Sequence, residues 1–239
     1  MNTWFQFKQF TIHQQLCAMK VCTDACLFGA WFSKNISTKP NNNQRLLDIG
    51  CGTGLLSLMV AQQHNLQIDA IEIDTAAVQQ AKENLALTPW VHQINIHHTS
   101  IQNYNVALPY DFIISNPPFF EEQLKSNNNQ RNVAMHATAL SFNDLCKAMQ
   151  RYLKDDGTAA ILIPFYAVEK FETILKSYNL FIIHQTNVAH TPSHPFFRAM
   201  LFIQKIPSTK SNTVLYIRDE MQQYHTDFKT LLKDYYLQF

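Results

Sequence analysis

The chain has 239 residues, enough for one large α/β domain with a self-sufficient core. Hydrophobic residues make up 46% and charged residues 15%, which excludes a disordered chain. Lys and Arg number 19 against 18 Asp and Glu, so no strong global field attracts polyanions, and a nucleic-acid partner has to be gripped by a local patch.

The opening MNTWFQFKQF lacks the basic-then-apolar layout of a secretion signal. No run approaches the roughly 18 apolar residues of a membrane span, so a cytoplasmic protein without membrane contact is expected. Cys17, Cys22, Cys26, Cys51 and Cys146 are odd in number and read as reduced thiols. Cys22 and Cys26 share a helix face, but no CxxC pair or histidine cluster completes four ligands, and no metal is expected. The ten histidines show no ligand spacing and read as surface or core residues.

Two Asn-rich pieces, around 40–43 and 126–130, read as loops. From Arg45 the chain alternates. Strands are predicted at Leu46–Ile49, Ile68–Ile73, Ile94–His97, Phe112–Ser115 and Thr158–Pro164. Helices are predicted at Leu55–Ala61, Thr75–Leu87, Phe142–Leu153 and Val168–Tyr178. Asp74 or Thr75 is placed to cap the second helix. Leu180–Val188 and Arg198–Gln204, joined by the Pro192–Pro195 loop, form a terminal antiparallel pair. The alternation implies an α/β fold with a doubly wound, mostly parallel Rossmann-like sheet. The expected organisation is a single domain: an N-terminal cap over 1–44, a core over 45–205 and a C-terminal extension over 206–239. In such sheets ligands sit beyond the carboxyl ends of the strands, where strand order reverses.

Asp48-Ile49-Gly50-Cys51-Gly52-Thr53-Gly54 closes the first strong strand and opens a helix. Residues without Cβ let the backbone turn sharply and bring helix N-terminal N–H groups close to a ligand. The spacing is GxGxG. It is neither the GxGxxG of dinucleotide sites nor a GxxxxGK[ST] phosphate loop. Glu72 ends the next strand 18 positions after Gly54, where a βαβ site places the acid that holds two ribose hydroxyls. A nucleoside with free hydroxyls is therefore the expected ligand; the plain alternative is an ordinary turn with a solvated acid. Asn116-Pro117-Pro118-Phe119 follows the fourth core strand on the same edge, and its two prolines make a rigid extended loop.

Asp48–Gly54 resembles motif I of class I S-adenosylmethionine-dependent methyltransferases, and Asn116–Phe119 resembles the NPP[FY] motif of those that methylate a planar nitrogen. The resemblance implies S-adenosylmethionine as cofactor, bound by Asp48, Gly50, Gly52, Gly54, Glu72 and Asn116. It implies further that the Asn116 side-chain oxygen and the Pro117 carbonyl accept the two N–H bonds of the target amine while Phe119 stacks on the flat substrate. Phe5-Gln6-Phe7-Lys8-Gln9-Phe10 and Met19–Trp31 are similar to the bacterial tRNA(Val) adenine N6-methyltransferase family, as are Leu85–Trp90, Gln130-Arg131, Met135-His136, Tyr224 and Asp234–Leu237. For that family the implied reaction is methylation of N6 of the adenine at tRNA position 37; separately, a monomer is expected. The pattern sets Lys20 and Thr23 over the methionine end of the cofactor and adds Pro118 and Arg131 to the substrate side. Lys20 has the alternative of a solvated helix-flanking lysine, and Asp24 that of a helix cap. Ser100 stands where many relatives carry an acid for the cofactor adenine.

Lys125 and Arg131 flank the second Asn-rich loop, and Lys205, Lys210 and Arg218 make a thin basic stretch. Each reads either as an RNA contact or as solvated surface, while Tyr235 and Tyr236 read as core. The competing activities are N5-methylation of a protein glutamine, N2-methylation of rRNA guanine, and a non-catalytic nucleoside- or RNA-binding module. Motif I begins too early to leave room for the helical domain that precedes it in glutamine methyltransferases.

Overall fold

The computed structural model describes residues 2–39, 43–118 and 140–239. A short antiparallel hairpin, β1 (Trp4–Gln6) and β2 (Thr11–His13), leads into helix α1 (Thr23–Asn35). The alternating core follows: β3 (Arg45–Ile49), α2 (Leu55–Gln63), β4 (Gln67–Glu72), α3 (Thr75–Ala86), β5 (Ile94–His98) and β6 (Tyr110–Ser115). Next come α4 (Phe142–Tyr152), β7 (Leu153–Pro164), α5 (Val168–Ser177), β8 (Phe181–Ala189), β9 (Phe196–Gln204), β10 (Ser211–Tyr216) and α6 (Thr226–Leu232).

The main sheet has eight strands in the order β10-β8-β9-β7-β6-β3-β4-β5. All neighbours are parallel except β9, which runs antiparallel to both β7 and β8. The expected antiparallel pair is thus present, but β10 lies outside it, parallel to β8. Its sequence, SNTVLY, is exposed for four residues and lacks the apolar run that marks the inner strands.

Both sheet faces are buried, as parallel strands require. Successive residues alternate between two cores. Leu46, Ile114 and Leu162 face α1 and α2, while Leu47, Ile113 and Ile161 face α4 and α5. The helix starts follow local chemistry. Asp74 caps α3 by accepting from Ala77 N at 2.7 Å, and Ser141 and Asp144 form a reciprocal capping box on α4. The N-cap of α1 is Cys22; Asp24 instead pairs with Arg198 Nε at 2.8 Å. Tyr235 is core, as read, its hydroxyl donating to Met59 O at 3.1 Å. Chain ends meet: Lys8 N donates to Tyr235 O at 2.8 Å, and Phe5 and Phe7 pack on Tyr236.

Candidate functional site

β3 pairs with β4 on one side and β6 on the other, so strand order reverses at β3. The loops after β3, β4 and β6 therefore open onto one crevice, with neighbouring strands about 4.8 Å apart.

Gly50, Gly52 and Gly54 all have positive φ, at +75°, +54° and +82°. Only glycine takes these angles without strain. A Cβ on Gly50 or Gly52 would meet nothing within 4 Å, so the turn bounds open space on the side where a side chain would stand. Gly50 N and Cys51 N both donate to Ile71 O, at 2.9 and 3.1 Å, which pins the turn to β4.

Glu72 is held by three backbone donors. Gly52 N reaches Oε2 at 2.9 Å, while Ile73 N and Asp74 N reach Oε1 at 2.8 and 3.0 Å. Asp48, fully buried beneath the turn, accepts from Ser57 Oγ at 2.7 Å through Oδ2, while Oδ1 has no partner. Burial pushes its carboxyl up to about 7, opposed by the Ser57 hydroxyl and reinforced by the charge of Glu72. A buried carboxylate oxygen left without a donor is rare and calls for an explanation.

The segment ahead of α1 is strapped to this turn by amides. Fully buried Asn84 accepts from His13 N at 2.8 Å and donates to His13 O at 2.9 Å and to Thr53 O at 3.0 Å. Gln80 Oε1 accepts from Leu16 N at 3.1 Å, and Gln14 Oε1 from Val21 N at 2.8 Å. Lys20 Nζ donates to Cys17 O at 2.9 Å and to Gln14 O, and Thr23 stands exposed at the first position of α1. Cys17 feels the charges of both Glu72 and Lys20, which brings this segment beside the glycine turn; burial and Glu72 raise its thiol to about 11.

On the other side of the crevice, Ser115 Oγ donates to Ile49 O at 2.7 Å, joining the end of β6 to the end of β3. Asn116 is half-buried, Pro117 buried and Pro118 exposed immediately beyond. Ser100 follows β5, its Oγ accepting from Asn103 N at 3.3 Å, next to Thr99 N, which bonds Glu72 O at 2.9 Å. Asp48, the three glycines, Glu72, Ser100, Asn116, Pro117 and Pro118 thus share one edge. Phe119, Lys125 and Arg131 lie outside the described residues. The C-terminal cations are engaged within the fold: Lys205 with Asp155, Lys210 with Glu172, and Arg218 with Gln222 O.

Reading residue types along the chain missed Ser57, Asn84 and Gln80. The signal was a polar residue on the buried face of a predicted amphipathic helix, where an amide is retained only with partners. Among the described residues no cluster of three or more His, Cys, Asp or Glu is arranged to hold a metal ion. No described helix is long and apolar enough to cross a membrane.

This fold and site define a class I methyltransferase. Residues 30–163 match the family model for the methyltransferase small domain. A predicted O-methyltransferase of Agrobacterium tumefaciens superimposes with a TM-score of 0.62 at 13% identity over 88% of this chain and 95% of its own, a likeness of fold alone. The tRNA1(Val) (adenine(37)-N6)-methyltransferase of Pseudoalteromonas translucida is 39% identical over 234 residues, 98% of each chain. The protein of the same name from Parabacteroides distasonis is 37% identical over 239 residues, 99% of this chain and 98% of its own. The chain belongs to the tRNA1(Val) (adenine(37)-N6)-methyltransferase family and is a methyltransferase.

Proposed function

We propose that the protein methylates N6 of adenine 37 in tRNA(Val), with S-adenosylmethionine as donor. The observation that carries this reading is the junction of two sites across the strand-order reversal. The glycine turn with Glu72 and the orphaned Asp48 oxygen stands on one side, and Asn116-Pro117 on the other, tied by Ser115 to Ile49.

When bound, S-adenosylmethionine supplies an electrophilic methyl group on a sulfonium. In this reading Asp48 receives the cationic amine of the methionine end, and Glu72 accepts the ribose hydroxyls. The glycine turn admits the nucleoside closely, Ser100 bonds near its base, and Lys20 and Thr23 cover it from the N-terminal segment. A capped Glu72 oxygen keeps its lone pairs aimed, because its three backbone donors fix the carboxylate plane.

An exocyclic amine is flat, since its lone pair is delocalised into the ring. Asn116 Oδ1 and the Pro117 carbonyl accept its two hydrogens, which redirects the pair toward the donor; proline rigidity holds the acceptors in place. Pro118, Phe119 and Arg131 complete the substrate side in the family pattern. The base has to leave its stack to reach the crevice. The clamp residues are neutral, so the enzyme's contribution is orientation and electrostatic positioning, and the proton leaves to water after transfer.

Purified protein incubated with total tRNA and labelled S-adenosylmethionine, followed by mapping of the modified nucleotide, tests the assignment. N6-methyladenine at position 37 is expected. Asn116→Ala is expected to lower turnover by about 100-fold or more while adenosylhomocysteine affinity stays within a few-fold, as loss of a transition-state acceptor should. Label on a protein glutamine, or full activity of Asn116→Ala, overturns it.

A further inference from the structure

Beyond Asn116, on the same edge, β7, β9 and β8 bring together aromatic groups that methyl transfer does not use. Pro164 at the end of β7 faces Arg198 near the start of β9, and Ala189 at the end of β8 faces Phe196. His190, exposed, lies flat against Phe197, with ring centroids 4.3 Å apart and an interplanar angle of 1°. Phe165, just past β7, packs on Phe196 at 5.2 Å, and the next residue, Tyr166, is 70% exposed. The Arg198 guanidinium sits 5.6 Å from the Phe197 ring centroid and is oriented by Asp24.

Flat rings left half-open around an arginine plane fit the faces of unstacked nucleobases, each of which has a π surface whatever its sequence. From β6 it is two strand spacings to β9 and three to β8, about 10 to 15 Å. Adjoining nucleotides of a single strand cover that distance from a base seated at Asn116. With a net charge of +1, the chain has little long-range attraction for phosphates, so stacking must carry much of the grip.

We propose that the β8–β9 end, centred on His190, Phe197 and Tyr166, is a stacking platform for the unpaired tRNA nucleotides that flank the target adenine. The proposal rests on the tRNA-methylating reading above. Its substrate class is single-stranded loop RNA, not duplex and not an extended peptide.

The test is steady-state methylation of unmodified full-length tRNA(Val) by wild type, His190→Ala, Tyr166→Ala and His190→Phe. Both alanine variants are expected to raise KM for the RNA about fivefold or more, the loss typical of one stacked base, with kcat and adenosylhomocysteine affinity unchanged. His190→Phe restores the wild-type KM because it keeps a flat ring. The salt slope of RNA binding stays the same in all four proteins, since no phosphate contact is removed. If wild type methylates the tRNA and both alanine variants keep KM within twofold, the platform is wrong and the functional reading stands. The platform is equally wrong if His190→Phe behaves as His190→Ala. If wild type leaves every loop adenine unmodified, the functional reading itself fails.

Discussion

The backbone N–H of Gly52 donates to Oε2 of Glu72 at 2.9 Å, joining the turn after β3 to the acid that ends β4. Gly52 has φ +54° and open space where a side chain would stand. Two substitutions separate the roles of this pair. Glu72→Ala removes a charged acceptor, and adenosylhomocysteine affinity is expected to fall about 10- to 100-fold, the range for charged hydrogen bonds. Gly52→Ala adds a methyl group that meets no protein atom, so its stability cost is only that of a left-handed alanine. That cost, about 1–2 kcal/mol, corresponds to a Tm loss of roughly 2–8 °C in a chain of this size. Its affinity loss should exceed what that small change in stability explains, because the methyl group stands in ligand space. Calorimetric titration beside a thermal melt reads both. Affinity within twofold of wild type for either variant would remove the ligand from this turn.

Asn84 is the second joint. Its side chain satisfies both backbone groups of His13 and the carbonyl of Thr53, linking the N-terminal hairpin to the glycine turn from inside the core. Asn84→Ala leaves three buried backbone groups without a partner, at about 1–3 kcal/mol for each unpaired group, though relaxation and water recover part of it. A Tm loss of about 5–10 °C is expected, together with weaker adenosylhomocysteine binding, because the strap over the turn loosens. Asn84→Asp keeps the acceptor for His13 N but turns a buried carboxylate oxygen toward the carbonyls of His13 and Thr53, so it should be destabilised at least as much as Asn84→Ala. A melt and a titration check both quantities; an unchanged affinity in a destabilised Asn84→Ala protein would confine this residue to folding.

Much of this is legible in the sequence. The strands β3, β4, β6 and β7 are apolar on both faces, and the glycine spacing demands positive φ, so the turn and the edge it lies on follow from local rules. Glu72 and Asn116 stand at predicted strand ends, which brings them to one edge without knowledge of strand order. Strand β10 was not readable, because an edge strand exposed over four residues has no apolar period. Nor was Asn84, whose three partners are up to 71 residues away and become neighbours only when β2 packs against α3. The environment of Asp48 was hidden as well: the motif names the residue, but only packing reveals an oxygen with no donor.

Asp48 makes that hidden environment measurable. Its carboxyl is raised from 3.8 to about 7, chiefly by burial. Between those values the folded protein keeps a proton that the unfolded chain has lost. This residue's contribution to stability therefore declines as pH rises from about 4 to about 7 and is level above, a span on the order of 4 kcal/mol. Asp69 and Glu172, whose carboxyls are lowered by their ion pairs and hydrogen bonds, act in the opposite sense at more acidic pH. The quantity to follow is thus the Tm difference between wild type and Asp48→Asn, which should shift in favour of the variant as pH goes from 4 to 7. A ligand ammonium beside Oδ1 reverses the preference and stabilises the carboxylate. Adenosylhomocysteine should then bind wild type more tightly as pH rises through about 7 and release a proton near pH 6, detectable by calorimetry in buffers of different ionisation heat. Asp48→Asn should show neither effect. Equal proton release by the two proteins would mean that the cation is held elsewhere, and the orphaned oxygen would be only a cost of folding.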